Sequence, residues 1–122
     1  MNTNTTSEER KFKLTSEERT AWDENGYFVR YDVFTKEEND LLAQIADDIV
    51  DGKRPFPDYH IFENALVRDG KIEAQGIYAM HNIQYVSCNC PEFLARTRDP
   101  RLTDPAVDIL GPDLLGLNNL YI

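Results

Sequence analysis

With 122 residues the chain has the length of one domain with a modest core, and its 41% hydrophobic and 29% charged content is that of an ordinary soluble globular protein. Twenty-two acidic against thirteen basic residues give a formal charge of -9, which repels nucleic acid and anionic membrane surfaces and argues against both as partners. The opening MNTNTTSEERKFK lacks the apolar core of a signal peptide, and no run approaches the ~18 apolar residues of a membrane span, so a cytoplasmic protein is expected.

Residues 1–13 are polar and threonine-rich and are expected to form a disordered tail, leaving 14–122 as the folded part. Order should begin at Thr15-Ser16-Glu17-Glu18, a capping box in which the threonine hydroxyl accepts a free amide and Glu18 reaches back. The helix it opens should run to Asn25, with Gly26 as its left-handed stop. Tyr27 to Tyr31, rich in aromatic and β-branched residues after a turn residue, reads as a strand.

Thr35-Lys36-Glu37-Glu38 repeats the capping box. Leu41, Leu42, Ile45, Ala46, Ile49 and Val50 then recur at helical spacing, until Asp51-Gly52 ends the element. One apolar stripe of this kind packs on something flat, such as a sheet. Lys53 to Tyr59, with two prolines, reads as a loop. Ala65 to Ala74, centred on Asp69-Gly70, carries a β-hairpin signal, because Asp-Gly suits the positive φ angles of a tight turn.

Ile77 to Val86 is a further strand candidate, with His81, Ile83 and Tyr85 on one face and Met80, Asn82, Gln84 and Val86 on the other. Pro91 should open a short helix that Asp99-Pro100 closes. A second should start with Asp104 as cap and Pro105 as first residue, and end at Gly111-Pro112. Leu114 to Ile122 reads as a last strand with an open apolar edge, which suggests the front part of a larger fold. The plan is α+β, with helices segregated toward one face of an antiparallel sheet.

Reactive groups are few. Cys88 and Cys90 are too sparse for a disulfide framework or a four-ligand zinc site and read as two reduced, partly buried thiols. Asp58, His60 and Glu63 with His81 contain the two imidazoles and one carboxylate that a ferrous site needs, although a loop histidine is the simpler reading. The acidic group Asp47, Asp48 and Asp51 lacks calcium-loop spacing and reads as a solvated helix end. No phosphate-binding glycine loop and no nucleophile elbow occurs.

Three segments together resemble the phytanoyl-CoA dioxygenase family. They are Leu14 to Glu18 followed by Trp22 to Val29; Val33-Phe34 with the long helix; and Phe93-Leu94, Asp99 to Leu102 and Val107 to Asp113. The resemblance covers residues 14–122 and implies the N-terminal portion of a double-stranded β-helix, or jelly roll. Its members use Fe(II) and 2-oxoglutarate to hydroxylate, and sometimes halogenate, small or acyl-linked substrates.

By that resemblance Asn118, Leu120 and Ile122, on one face of the last strand, and His81 would line the cofactor or substrate cavity. The departure is in the iron ligands. The family's His-x-Asp motif has no counterpart here, because His60 is followed by Ile61-Phe62 and His81 by Asn82-Ile83. The lysine that some members aim at 2-oxoglutarate is also missing from the strand around His81. The chain alone is therefore expected to hold neither iron nor 2-oxoglutarate tightly and to be inactive. The alternative is a non-catalytic binding or interaction module that completes its sheet by dimerisation or by pairing with a partner strand.

Overall fold

The computed structural model describes residues 10–116 and 119–122. The described residues fall into two compact units, one made of 10–33 and 96–115, the other of 34–95, 116 and 119–122.

In the first unit, α1 (Ser16–Asn25) starts as the capping box requires. Thr15 Oγ1 accepts the Glu18 amide at 3.1 Å, and Glu18 Oε2 accepts the Thr15 amide at 3.0 Å. Gly26, at φ +78°, closes it by donating to the Trp22 carbonyl.

Tyr27 to Tyr31 does not form the expected strand. Its alternation survives without a ladder: Tyr27, Val29 and Tyr31 are exposed, while Phe28 and Arg30 are partly buried. Arg30 supplies the anchor, because its guanidinium grips both oxygens of Glu18 at 2.6 Å and also donates to the carbonyls of Phe12 and Lys13. Strand propensity measures fit to a pleated surface, and a side-chain clamp has taken the place of that surface here.

The last helix of this unit corrects the expected start. It is α6 (Pro100–Leu110), opened by Asp99, whose Oδ1 accepts the Arg101 amide at 2.9 Å. Asp-Pro occurs twice in this stretch, and the first copy takes the capping role, leaving Pro105 inside the helix. Asp104 turns its Oδ2 instead to the Phe12 amide at 2.9 Å, and one turn later Asp108 Oδ2 accepts the Leu14 amide at 2.8 Å. Arg10 joins them by donating to Asp108 Oδ1 and to the Asp104 carbonyl. The expected disordered tail thus falls partly outside the described residues, and from Arg10 onward the chain is strapped along α6. Gly111 ends this helix as expected.

The second unit holds the core. Its long helix α2 (Lys36–Val50) has the predicted capping box at Thr35 and turns Ile45, Ala46 and Ile49 into a buried cluster with Ile83, Val86, Cys90 and Phe93. Ile83 lies on the central strand of a three-stranded antiparallel sheet, so the greasy stripe does pack on a sheet. The strands are β1 (Ile61–Glu63), β2 (Met80–Gln84) and β3 (Leu120–Tyr121), in the order β1-β2-β3. Ile61 pairs with Ile83 and Phe62 with Asn82, with an irregularity before Glu63 meets Met80; on the other side Ile83 pairs with Tyr121 and Gln84 with Leu120.

Two strand expectations are corrected here. The 65–74 hairpin is instead a short helix, α3 (Ala65–Arg68), capped by Asn64, whose Oδ1 accepts the Leu66 amide at 2.9 Å. Gly70 does take positive φ, at +70°, but Lys71 and Ile72 then donate to the Leu66 carbonyl and the glycine closes a helix. The 77–86 strand shortens to β2, because Gly76–Ala79 forms a 3-10 turn and Val86–Asn89 forms α4.

The expected Leu114 to Ile122 strand likewise reduces to Leu120–Tyr121; residues 117 and 118 lie outside the described set. Pro91 opens α5 (Pro91–Thr97) as expected. The α+β class stands.

Candidate functional site

Tyr85 governs how β2 presents its side chains. It sits at φ +54°, ψ +36°, a left-handed conformation that is rare for a bulky residue, and it breaks the alternation that would place Ile83 and Val86 on opposite faces. Both are consequently core residues, at 1% and 2% exposure. The turn is fastened from the residue before β3: the Tyr85 amide donates to the Asn119 carbonyl at 2.9 Å, and the Ser87 amide to Asn119 Oδ1 at 2.8 Å.

Beside this turn the second unit has a cavity of about 580 Å³. Helix α2 contributes Asp47; the 3-10 turn contributes Tyr78; β2 contributes His81 and Asn82. Tyr121 and Ile122 close it from β3 and the residue after it, over an apolar wall that includes Ile77 and Ile83. Tyr78 and Ile122 are 84% and 89% exposed at its rim, while Asn82 has a side-chain oxygen sealed from solvent without a hydrogen-bond partner among the described residues.

Among the four residues singled out from the sequence, His81 and Ile122 line this cavity. Leu120 does not; it is half exposed on the edge strand, opposite Gln84. Asn118 lies outside the described residues. Asp47 was singled out only as part of a solvated acidic helix end, and nothing local marks Tyr78, Asn82 or Tyr121; each is a wall residue only because α2, β2 and β3 come together.

The ferrous set does not assemble. His60 packs its ring between Tyr59 and Tyr85, with centroids 4.3 and 4.7 Å away. Among the described residues no group of three or more His, Cys, Asp or Glu is placed to hold a metal. The donor set a ferrous site needs, two imidazoles and a carboxylate on one face, is thus not matched by the described residues, and no chemical step is assigned to iron on this chain.

The acidic end of α2 is largely engaged. Asp48 accepts from Gln44 Nε2 at 3.0 Å and Asp51 pairs with Lys53 at 3.2 Å. Cys88 and Cys90 are both free thiols; burial pushes the Cys90 thiol up, away from the reactive thiolate.

A second hollow, of about 560 Å³, lies within the first unit beside Lys11, Lys13, Arg30 and Arg101. Its two guanidinium groups are committed, Arg30 to Glu18 and Arg101 to Asp99, so it offers less free chemistry than the first. No helix among the described residues is long and apolar enough to cross a membrane. Compared with protein-family models, curated proteins and solved structures, the chain matches none.

Proposed function

We propose that this chain supplies the N-terminal portion of an Fe(II)- and 2-oxoglutarate-dependent oxygenase of the phytanoyl-CoA dioxygenase type. In this reading it forms the buttress and first wall of a jelly-roll core. The observation that carries the reading is that His81 and Ile122, the two described residues that both the resemblance and the geometry select, face one cavity between β2, β3 and α2. The resemblance in the capping-box helix, the long helix and the 93–113 segment supports it further.

In such a domain these residues bind and orient a small or acyl-linked substrate. Iron would supply the oxidising chemistry, held by a His-x-Asp motif that this chain does not contain. Succinate formation from 2-oxoglutarate, with iron and ascorbate, tests the reading. The 122-residue chain should give none, and a version extended through a His-x-Asp segment should turn over. Turnover by the short chain, or none by a folded extended one, would refute it.

A second reading, a non-catalytic interaction module, draws support from β3. Among the described residues it is an edge strand with a neighbour on one side only, followed by the exposed Ile122. Size-exclusion chromatography with light scattering separates the two: a defined soluble dimer favours the module, and a monomer or non-specific aggregate favours the oxygenase portion.

A further inference from the structure

Ion pairs among the described residues engage Glu18, Asp40, Asp51, Asp69, Glu92, Asp99 and Asp108. Asp47 differs. Although half-buried in the cavity wall, its carboxylate takes no hydrogen bond or ion pair from any described side chain, and no lysine or arginine lines the cavity. Asn82 also lines the cavity, and its Oδ1 is buried without a hydrogen-bond partner among the described residues.

The remaining polar surface is two phenols, Tyr78 and Tyr121, and one imidazole, His81. The aromatic faces of the phenols attract cations, and the exposed Ile122 beside them offers contact for an aliphatic chain. An anion such as a dicarboxylate would meet the Asp47 charge across a wall without lysine or arginine, on a protein of net charge -9; Lys53, which feels the Asp47 charge, is paired with Asp51.

We infer that this cavity binds an organic ammonium ion with an aliphatic body, the cationic head held at the Asp47 carboxylate and the tail lying against Ile122 and Tyr78. The inference rests on the cavity and needs neither iron nor the oxygenase reading, so binding and turnover fail independently.

Three probes of equal length separate charge from apolar contact: n-hexylammonium, n-hexanol and n-hexanoate. They are titrated into the 122-residue chain and followed by calorimetry and by amide chemical shifts. Hexylammonium should bind about tenfold more tightly than hexanol, the value of one charge-assisted contact, with hexanoate weakest. Shifts should centre on Asp47, Tyr78 and Asn82. Asp47→Asn should abolish the ammonium preference while leaving hexanol binding and the thermal midpoint unchanged.

Tyr78→Ala, a change at an exposed rim position, should weaken hexylammonium and hexanol alike. Hexanoate binding as tightly as hexylammonium, an ammonium preference that persists in folded Asp47→Asn, or no saturation by any probe in the millimolar range would overturn the inference.

Discussion

Asn119 Oδ1 accepts the Ser87 amide at 2.8 Å, so a helix whose own N-cap position offers no side-chain bond is capped by a residue 32 positions further along the chain. The N-cap residue is Tyr85, which has no short side-chain acceptor and is held in the left-handed region. Asn119 therefore does two jobs: its backbone carbonyl fixes the Tyr85 amide, and its side chain satisfies a donor that Ser87, 5% exposed, keeps from water.

From this, Asn119→Ala should destabilise the protein by about 1–2 kcal/mol, the range for a lost cap and a stranded buried amide. The backbone bond from Tyr85 survives that change, so the damage should be local. Denaturant midpoint shifts with an unchanged slope would report the loss, and hydrogen exchange at the Ser87 amide should accelerate. Protection equal to the wild type at Ser87 would show that the cap contributes nothing.

Arg30 is the second long-range fastener. Its bidentate grip on Glu18 and its bonds to the Phe12 and Lys13 carbonyls use the whole planar fork. Lysine presents one ammonium and cannot span those acceptors. Arg30→Lys should cost about 2 kcal/mol despite conserving charge, because both groups are largely shielded. Limited proteolysis within residues 10–14 should also become faster. A variant as stable and as resistant as the wild type would mean that the strap is held by Asp104 and Asp108 alone.

What was legible in the sequence follows a physical line. The two capping boxes at Thr15 and Thr35 and the left-handed Gly26 are chemistry completed within four residues, and all three form as read. The stripe was legible from Leu42 to Val50 because a helix face needs only its own period, whereas Leu41, expected on the same face, is exposed.

The failures turn on partners outside the short pattern that was read. Asp-Gly at 69–70 encodes positive φ but not what that φ serves, and Asn64 decided for a helix end. Either Asp-Pro pair satisfies the local rule for opening a helix, and only the acceptor role of Asp104 toward Phe12 separates them. The cavity is the extreme case. His81 and Ile122 were selected by the family resemblance, yet Asp47 on α2 and Asn82 on β2 meet in one wall only through the packing of that helix on the sheet.

Acid should weaken the first unit through identifiable carboxylates. Arg101 donates to Asp99 and holds its carboxyl down from the ordinary 3.8 to about 2. Arg30 likewise lowers Glu18; burial opposes the ionisation of Asp108, but the Leu14 amide and Arg10 keep it below the usual range. A carboxyl depressed in the folded state adds stability that is complete above its unfolded value and is lost as pH falls through its folded one. For Asp99 that window runs from about pH 4 down to pH 2. Asp99→Asn keeps a competent helix cap while deleting the ion pair. It should be about 1 kcal/mol less stable at neutral pH and lose less on acidification, as urea midpoints across the window would show. Parallel pH profiles for the two proteins would remove Asp99 from the account.

Ile83 and Ile122 form a matched test of core against site. Ile83 is 1% exposed on the central strand, in the cluster with Ile45, Ile49 and Val86, whereas Ile122 is 89% exposed at the cavity rim. Truncating the first removes apolar contact on a strand with neighbours on both sides, so Ile83→Ala should cost roughly 2–5 kcal/mol. Ile122→Ser removes surface that water already reaches, and its effect on stability should stay within about 0.5 kcal/mol. The two changes should order differently when binding is measured. Ile122→Ser should weaken hexylammonium and hexanol together by a few-fold, through lost contact with the aliphatic tail, while leaving the ammonium preference set by Asp47 intact. If Ile122→Ser unfolds the protein, the residue is a structural part of the sheet edge and its exposure is not that of a ligand surface. If it changes neither stability nor binding, Ile122 has no part in the site, and the apolar contact must come from Tyr78 and Ile77.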